Sequence, residues 1–184
     1  MIALVIIIAL VLVVGVYAIT TYNGLVAGRN KVEEAFSTMD VFLKKRNDMI
    51  PNIVATVKAY AKHEAETLEK VVAARNETAP LAQRIDQEKQ VSAAMRNLMV
   101  RLEAYPELKA STNFLQLQQQ LTGIEGEIES SRRYYNGSVR QQNDRVQQFP
   151  SNVVAGMFHF EKMPLFQAEE YERRNVDVAG MFNQ

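Results

Sequence analysis

Residues 1–60 read MIALVIIIALVLVVGVYAITTYNGLVAGRNKVEEAFSTMDVFLKKRNDMIPNIVATVKAY, and two patterns within them decide the fold. Residues 1–19 hold 18 apolar side chains, Gly15 being the exception, and the first charged residue of the chain is Arg29. At about 1.5 Å of rise per residue, a helix of this length reaches roughly 28 Å, close to the hydrocarbon thickness of a bilayer. A secretory leader is the competing reading, with Val16 and Ala18 as small residues ahead of a cleavage point. Against it, no Lys or Arg precedes the apolar run, and the run exceeds the roughly 7 to 15 residues of a leader's core. The expectation is an uncleaved transmembrane helix, with residues 1–20 as anchor and residues 1–19 in lipid.

The second pattern starts at Tyr22. Tyr22, Leu25, Val32, Phe36, Met39, Leu43, Ile50, Ile53, Val57 and Tyr60 fill ten of twelve successive positions stepping by threes and fours, and Arg29 and Arg46 fill the other two. A sustained period near 3.5 marks a long helix packed on other helices. Pro51 deletes a backbone donor and disfavours helical geometry at Ile50, so a kink near Asn47 to Pro51, or two separate helices, is expected. Beyond Tyr60 the pattern shifts to Ala61, Leu68 and Val72, with a stop in Asn76, Glu77 and Thr78 ahead of Pro80.

The rest of the chain repeats the theme. Leu81, Ile85, Met95, Leu98 and Leu102 share one face of a shorter helix that ends at Tyr105 and Pro106. Ala110, Phe114, Leu117, Leu121, Ile124, Ile128 and Tyr135 line a third helix, with Ser131 as the gap; Val139, Val146 and Phe149 extend it in a shifted register to Pro150. The expected fold is all-α: an N-terminal transmembrane helix, then an elongated antiparallel bundle of long helices over residues 21–149. Residues 150–184 form an apolar tail, with Val153, Val154, Met157, Phe158, Phe160, Met163, Leu165 and Phe166, expected to pack on the bundle or on a partner.

Lengths raise a question of coverage. A first helix from Thr20 to about Arg75 would reach roughly 84 Å, the second about 36 Å and the third nearly 60 Å. One short partner cannot cover the first seam. Either the chain folds back at Pro51, or the membrane-proximal seam is buried against a second copy, since long exposed apolar stripes usually mark contacts. Self-association through Tyr22, Leu25, Arg29, Val32, Phe36, Met39, Leu43 and Arg46 is the favoured expectation. Arg29 and Arg46 are the residues expected to set alignment, because a buried cation must find a carboxylate or carbonyl.

Composition narrows the function. The full chain of 184 residues has no cysteine, and its 21 basic and 21 acidic side chains cancel. Disulfide, zinc-ribbon, iron–sulfur and thiol chemistry are excluded, and nothing in the net charge attracts nucleic acid. His63-Glu64 begins like a zinc-protease motif, but Thr67 occupies the position of the second ligand. Glu125, Glu127 and Glu129 lie near Arg132 and Arg133 at spacings that suit pairing between helix turns, Glu125 with Arg132 and Glu129 with Arg133, better than acid–base catalysis. Lys44, Lys45 and Arg46 suit headgroups only if the first helix folds back, and read better as a solvated or paired face. No cofactor site, metal site or catalytic residue is expected.

Four segments resemble the LemA family of bacterial membrane-anchored helical proteins. They are Tyr22-Asn23-Gly24-Leu25-Val26, Arg46-Asn47-Asp48-Met49-Ile50-Pro51-Asn52-Ile53, Tyr105-Pro106-Glu107-Leu108-Lys109-Ala110, and Glu125 through Tyr134-Tyr135-Asn136 to Phe149-Pro150. The resemblance implies a transmembrane helix with a coiled-coil-like domain, and no reaction. Tyr22-Asn23-Gly24 also returns as Tyr135-Asn136-Gly137, so the two glycines are candidate helix crossing points. The functional expectation is a structural or scaffolding homo-oligomer at the inner membrane. The alternative is an adaptor presenting the helical domain to an unknown protein partner such as a protease, sensor or envelope enzyme. Arg29 and Lys31, following an uncharged N-terminus, lean the domain toward the cytoplasm.

Overall fold

Anchor and bundle share one helix. In the computed structural model of the chain, which describes residues 1–73 and 78–166, α1 spans Ile2–Lys58 without a break. At about 1.5 Å per residue its 57 residues reach roughly 85 Å. Its first third has the length and apolarity to cross a membrane, and no part of that window is buried by the protein. The remainder is amphipathic: Leu25, Val32, Phe36, Met39, Leu43, Arg46, Ile50, Ile53 and Val57 are buried along one stripe.

Four further helices build the bundle on this spine: α2 (Lys62–Ala73), α3 (Leu81–Leu102), the single turn α4 (Pro106–Lys109) and α5 (Thr112–Gln147). Long-range partners fix the directions. Gln142 bonds Leu25 and Tyr135 stacks on Phe36, so α5 runs antiparallel to α1. Arg84 reaches Asp40 and Glu88 reaches Arg46, so α3 runs parallel to α1. The order is up, down, up, down, with short links that favour antiparallel neighbours.

Two clusters divide the core. The distal one joins Ile50, Ile53 and Val57 of α1 with Val91, Met95, Leu98 and Leu102 of α3 and Phe114 and Leu121 of α5. The membrane-proximal one joins Val32, Phe36, Met39 and Leu43 with Ile85, Ile128, Tyr135, Val139 and Phe166. A third, small cluster holds Leu25 against Val154 and Ala155 of α6 (Ser151–Met157), with Ala18, Val146 and Phe160 around it.

Three expectations need correction. The first helix ends at Lys58, not near Arg75, and the chain reverses through Ala59, Tyr60 and Ala61, with the amides of Tyr60 and Ala61 both donating to the Val57 carbonyl. No glycine or proline marks this turn; its trace in the sequence is the register shift after Tyr60. The stop expected at Asn76 and Glu77 lies outside the described residues. Second, Pro51 sits inside the unbroken helix, so neither two helices nor a fold-back occurs there. Pro51 faces solvent while Ile50, Ile53 and Val57 stay buried, so packing on both flanks holds the helical path across the missing donor.

Third, the seam does not require another copy. Leu25, Val32, Met39 and Leu43 are all within 1% of full burial inside one chain. α5 matches the seam over most of its length, α3 reaches down to the level of Asp40, and the segment 160–166 closes the remainder. Seven residues suffice for this, because an extended segment covers far more distance per residue than a helix.

Removing volume from the sealed seam should therefore destabilise the isolated chain. Met39→Ala is expected to cost about 2–5 kcal/mol in denaturant unfolding of the detergent-solubilised protein. Val41→Ala, on the exposed face, should stay within about 0.5 kcal/mol. Equal effects would mean that the seam is not packed as described.

Candidate functional site

Arg46 is the most unusual side chain of the core. Its relative exposure is 0%, and its guanidinium bonds the Glu88 carboxylate at 2.5 Å, the Ser92 hydroxyl at 2.8 Å and Glu125 at 3.4 Å. A buried charge needs such compensation, since removing one partner strands the other in a low-dielectric interior. α1 supplies the cation, α3 two acceptors and α5 the third, so a single residue ties three helices at one height. Arg46 thus bonds partners on two other helices within one chain. Arg29 does not share the role: it is exposed and pairs with Glu33 one turn away at 3.1 Å.

The cluster opens to the surface. Ser92, Met95, Arg96 and Met99 of α3 and Gln118, Leu121, Thr122 and Glu125 of α5 line a groove of about 330 Å³. Apolar walls with a few polar groups at one end suit a side chain or short segment of another protein. Methionine is adaptable in such a wall.

A second polar device holds the tail. Asn143 donates to the Met163 carbonyl at 2.9 Å and accepts from the Met163 amide at 2.8 Å. Asn136 makes the same pair of bonds with Phe166, both at 2.8 Å. Seven helical residues rise about 10.5 Å and three extended residues about 10 Å, so the two repeats match. Between them the Tyr135 hydroxyl donates to the Pro164 carbonyl at 2.7 Å. Burial raises the Tyr135 pKa to about 12. Arg132 lies over the Phe166 ring, 5.4 Å from its centroid. The chain enters this strap through His159, whose positive φ of 56° forms the left-handed end of α6; the Phe160 amide donates back to Ala155.

The other residues read from the sequence divide clearly. Val32, Phe36, Met39 and Leu43 are core between α1 and α5, and Leu25 is core against α6. Tyr22 is partly exposed and stacks on Phe158 and Phe160, with centroids 4.7 Å and 5.9 Å away. Glu129 pairs with Arg133 as expected, whereas Glu125 turns to Arg46 instead of Arg132. Lys44 and Lys45 are exposed roughly 37 Å beyond Ile19, too far along α1 to meet headgroups. His63 is exposed on α2, and its carbonyl accepts from Thr67.

The repeated tyrosine–asparagine–glycine motif marks contacts with the tail, through Tyr22, Tyr135 and Asn136, and not two glycine crossings. A Cβ on Gly137 would meet nothing within 4 Å. The close approach is at Gly28, where a Cβ would fall 2.1 Å from the Gln142 Oε1 atom. Glu88 and Ser92 were legible as a gap: the α3 face skips from Ile85 to Met95, and those two residues occupy the missing turns.

Two sets of variants test these devices. Arg46→Met alone should destabilise by about 3–5 kcal/mol by stranding Glu88, while Arg46→Met with Glu88→Leu should recover most of it; a double variant no better than the single would refute the pairing. Asn136→Ala should remove hydrogen-exchange protection at the Phe166 amide and leave Met163 protected. The stability contributed by the neutral Tyr135 phenol is full below pH 10 and is lost as pH rises toward 12. In Tyr135→Phe that alkaline loss should disappear.

Known proteins resemble this chain in sequence. The family pattern described as the LemA family matches residues 35–179, which takes in the bundle from the middle of α1 onward. Over 165 residues the chain is 27% identical to Protein LemA of Metamycoplasma hominis, an alignment covering 88% of this chain and 75% of that protein. With the match extending over most of its length, the chain belongs to the LemA family.

Proposed function

We propose that this protein is a single-pass, membrane-tethered interaction module that holds a partner protein at a set height above the bilayer and catalyses no reaction itself. The carrying observation is the continuity of α1, in which the membrane-crossing segment and the spine of the bundle are one helix. A helix that leaves the bilayer without a break transmits its direction to whatever packs on it. The groove between α3 and α5 then stands roughly 45 Å beyond Ile19, at the level of Ile50. Its mixed lining of Met95, Met99 and Leu121 with Arg96, Gln118 and Glu125 suits a protein segment.

This reading favours the adaptor over the self-assembling scaffold. Parting α1 from α5 to admit a second copy would expose the seam and unpair Arg46 from Glu125, so assembly would need a surface elsewhere. In this reading the bundle lies on the cytoplasmic face of the inner membrane, which the basic residues Arg29 and Lys31 just after the span support.

Site-specific photocrosslinking in intact membranes tests the reading. A photoreactive residue in place of Gln118 should yield adducts with another protein, and one in place of Arg133, outside the groove, should yield none. Self-adducts alone at Gln118 would return the protein to the scaffold class.

A further inference from the structure

We infer that α6 and the turn before it form a second membrane contact, a foot whose apolar side chains enter the interfacial layer of the bilayer that α1 crosses. Phe149 is 82% exposed, Met157 70%, Val153 54% and Phe158 53%. Among the described residues outside the span, the other exposed large apolar side chains are dispersed along the bundle, as at Val41, Val100 and Leu115. These four gather at one end. Val153 and Met157 are four residues apart and so share one face of α6, while the opposite face, Val154 and Ala155, is buried against Leu25. With one apolar face packed and another apolar face open, this seven-residue helix leaves only Asn152 and Gly156 as its exposed non-apolar side.

The position decides what covers the open face. α6 is pinned to α1 between Ala18 and Leu25, where the apolar segment 1–19 ends. On α5, Gln142 and Arg145 bond the carbonyls of Leu25 and Gly24. α5 continues downward from there to Gln147, about 3 Å lower, where the chain turns through Phe149 and Pro150 into α6. The foot is therefore at the boundary where α1 enters lipid, flanked by Tyr17 and Tyr22, residue types favoured at that depth. An amphipathic surface held there buries its apolar side roughly 5–10 Å into the headgroup and acyl boundary. A soluble partner would have to fit between the bundle and the bilayer surface. The consequence is a two-point stance that fixes the tilt of α1 where a lone span would leave it free. This inference rests on residues 1–19 crossing the membrane, as proposed above.

The absence of native cysteine makes the test direct. Full-length Phe149→Cys, Met157→Cys, Leu12→Cys and Val100→Cys variants are labelled with an environment-sensitive fluorophore and reconstituted in phosphatidylcholine–phosphatidylglycerol vesicles. Lipids carrying nitroxides at shallow or deep acyl positions are then added. Probes at positions 149 and 157 should emit blue-shifted and lose most of their emission to the shallow nitroxide. The probe at 12 should respond to the deep nitroxide and the probe at 100 to neither. Quenching at 12 with red-shifted, unquenched probes at 149 and 157 would overturn the foot and leave the anchor standing. No quenching at 12 would overturn the anchor itself. Blue-shifted but unquenched probes at 149 and 157 would mean that protein, a second copy included, covers the face, and would also overturn the proposal.

Discussion

The pairing of α1 with α5 along the seam from Leu25 to Val57 is the contact on which the rest of the molecule depends. A helix leaving a bilayer toward water must bury its apolar stripe or invite aggregation, and each large side chain so buried contributes about 1.5–3 kcal/mol. α5 lies antiparallel over that stripe from Phe114, opposite the distal end, to Gln142, opposite Leu25. α2 and most of α3 then fill the distal half, while Ile85 at the start of α3 joins the strap 160–166 in the other half. The length of the bundle and the path of the tail both follow from that division.

Polar groups set the register that apolar packing alone leaves loose. Arg46 can be satisfied only where Glu88, Ser92 and Glu125 converge, so sliding any of the three helices by one turn would strand a buried charge. Asn136 and Asn143 act on the tail in the same way, because their spacing fits alternate bonding positions of an extended chain. Gly28 gives the matching concession on α1, leaving room for the Gln142 amide to reach the Leu25 carbonyl.

Much of this was legible from residue spacing. The long apolar N-terminal helix, the buried stripe of α1 and the ends of α3 and α5 followed from hydrophobic period and proline positions, and Arg46 stood out as a cation in an apolar row. The reversal at Tyr60 did not, because no local breaker causes it; α2 turns back to pack on α1, a tertiary effect. Coverage of the membrane-proximal seam was misjudged for a related reason. An extended strap has no apolar period to detect, and its anchors are two asparagines whose partners are main-chain atoms. The groove at Gln118 and Glu125 likewise arises from α3 and α5 lying side by side, which neither helix encodes alone.

The central claim is that one chain seals its own juxtamembrane seam. An isotope-filtered nuclear Overhauser measurement on a mixture of labelled and unlabelled full-length protein tests it through the Phe36 and Tyr135 rings, whose centroids lie 5.8 Å apart. The contact should be strong in uniformly labelled protein and absent from the inter-chain spectrum. A Phe36–Tyr135 signal that passes the inter-chain filter would contradict the account and assign the seam to a neighbouring copy.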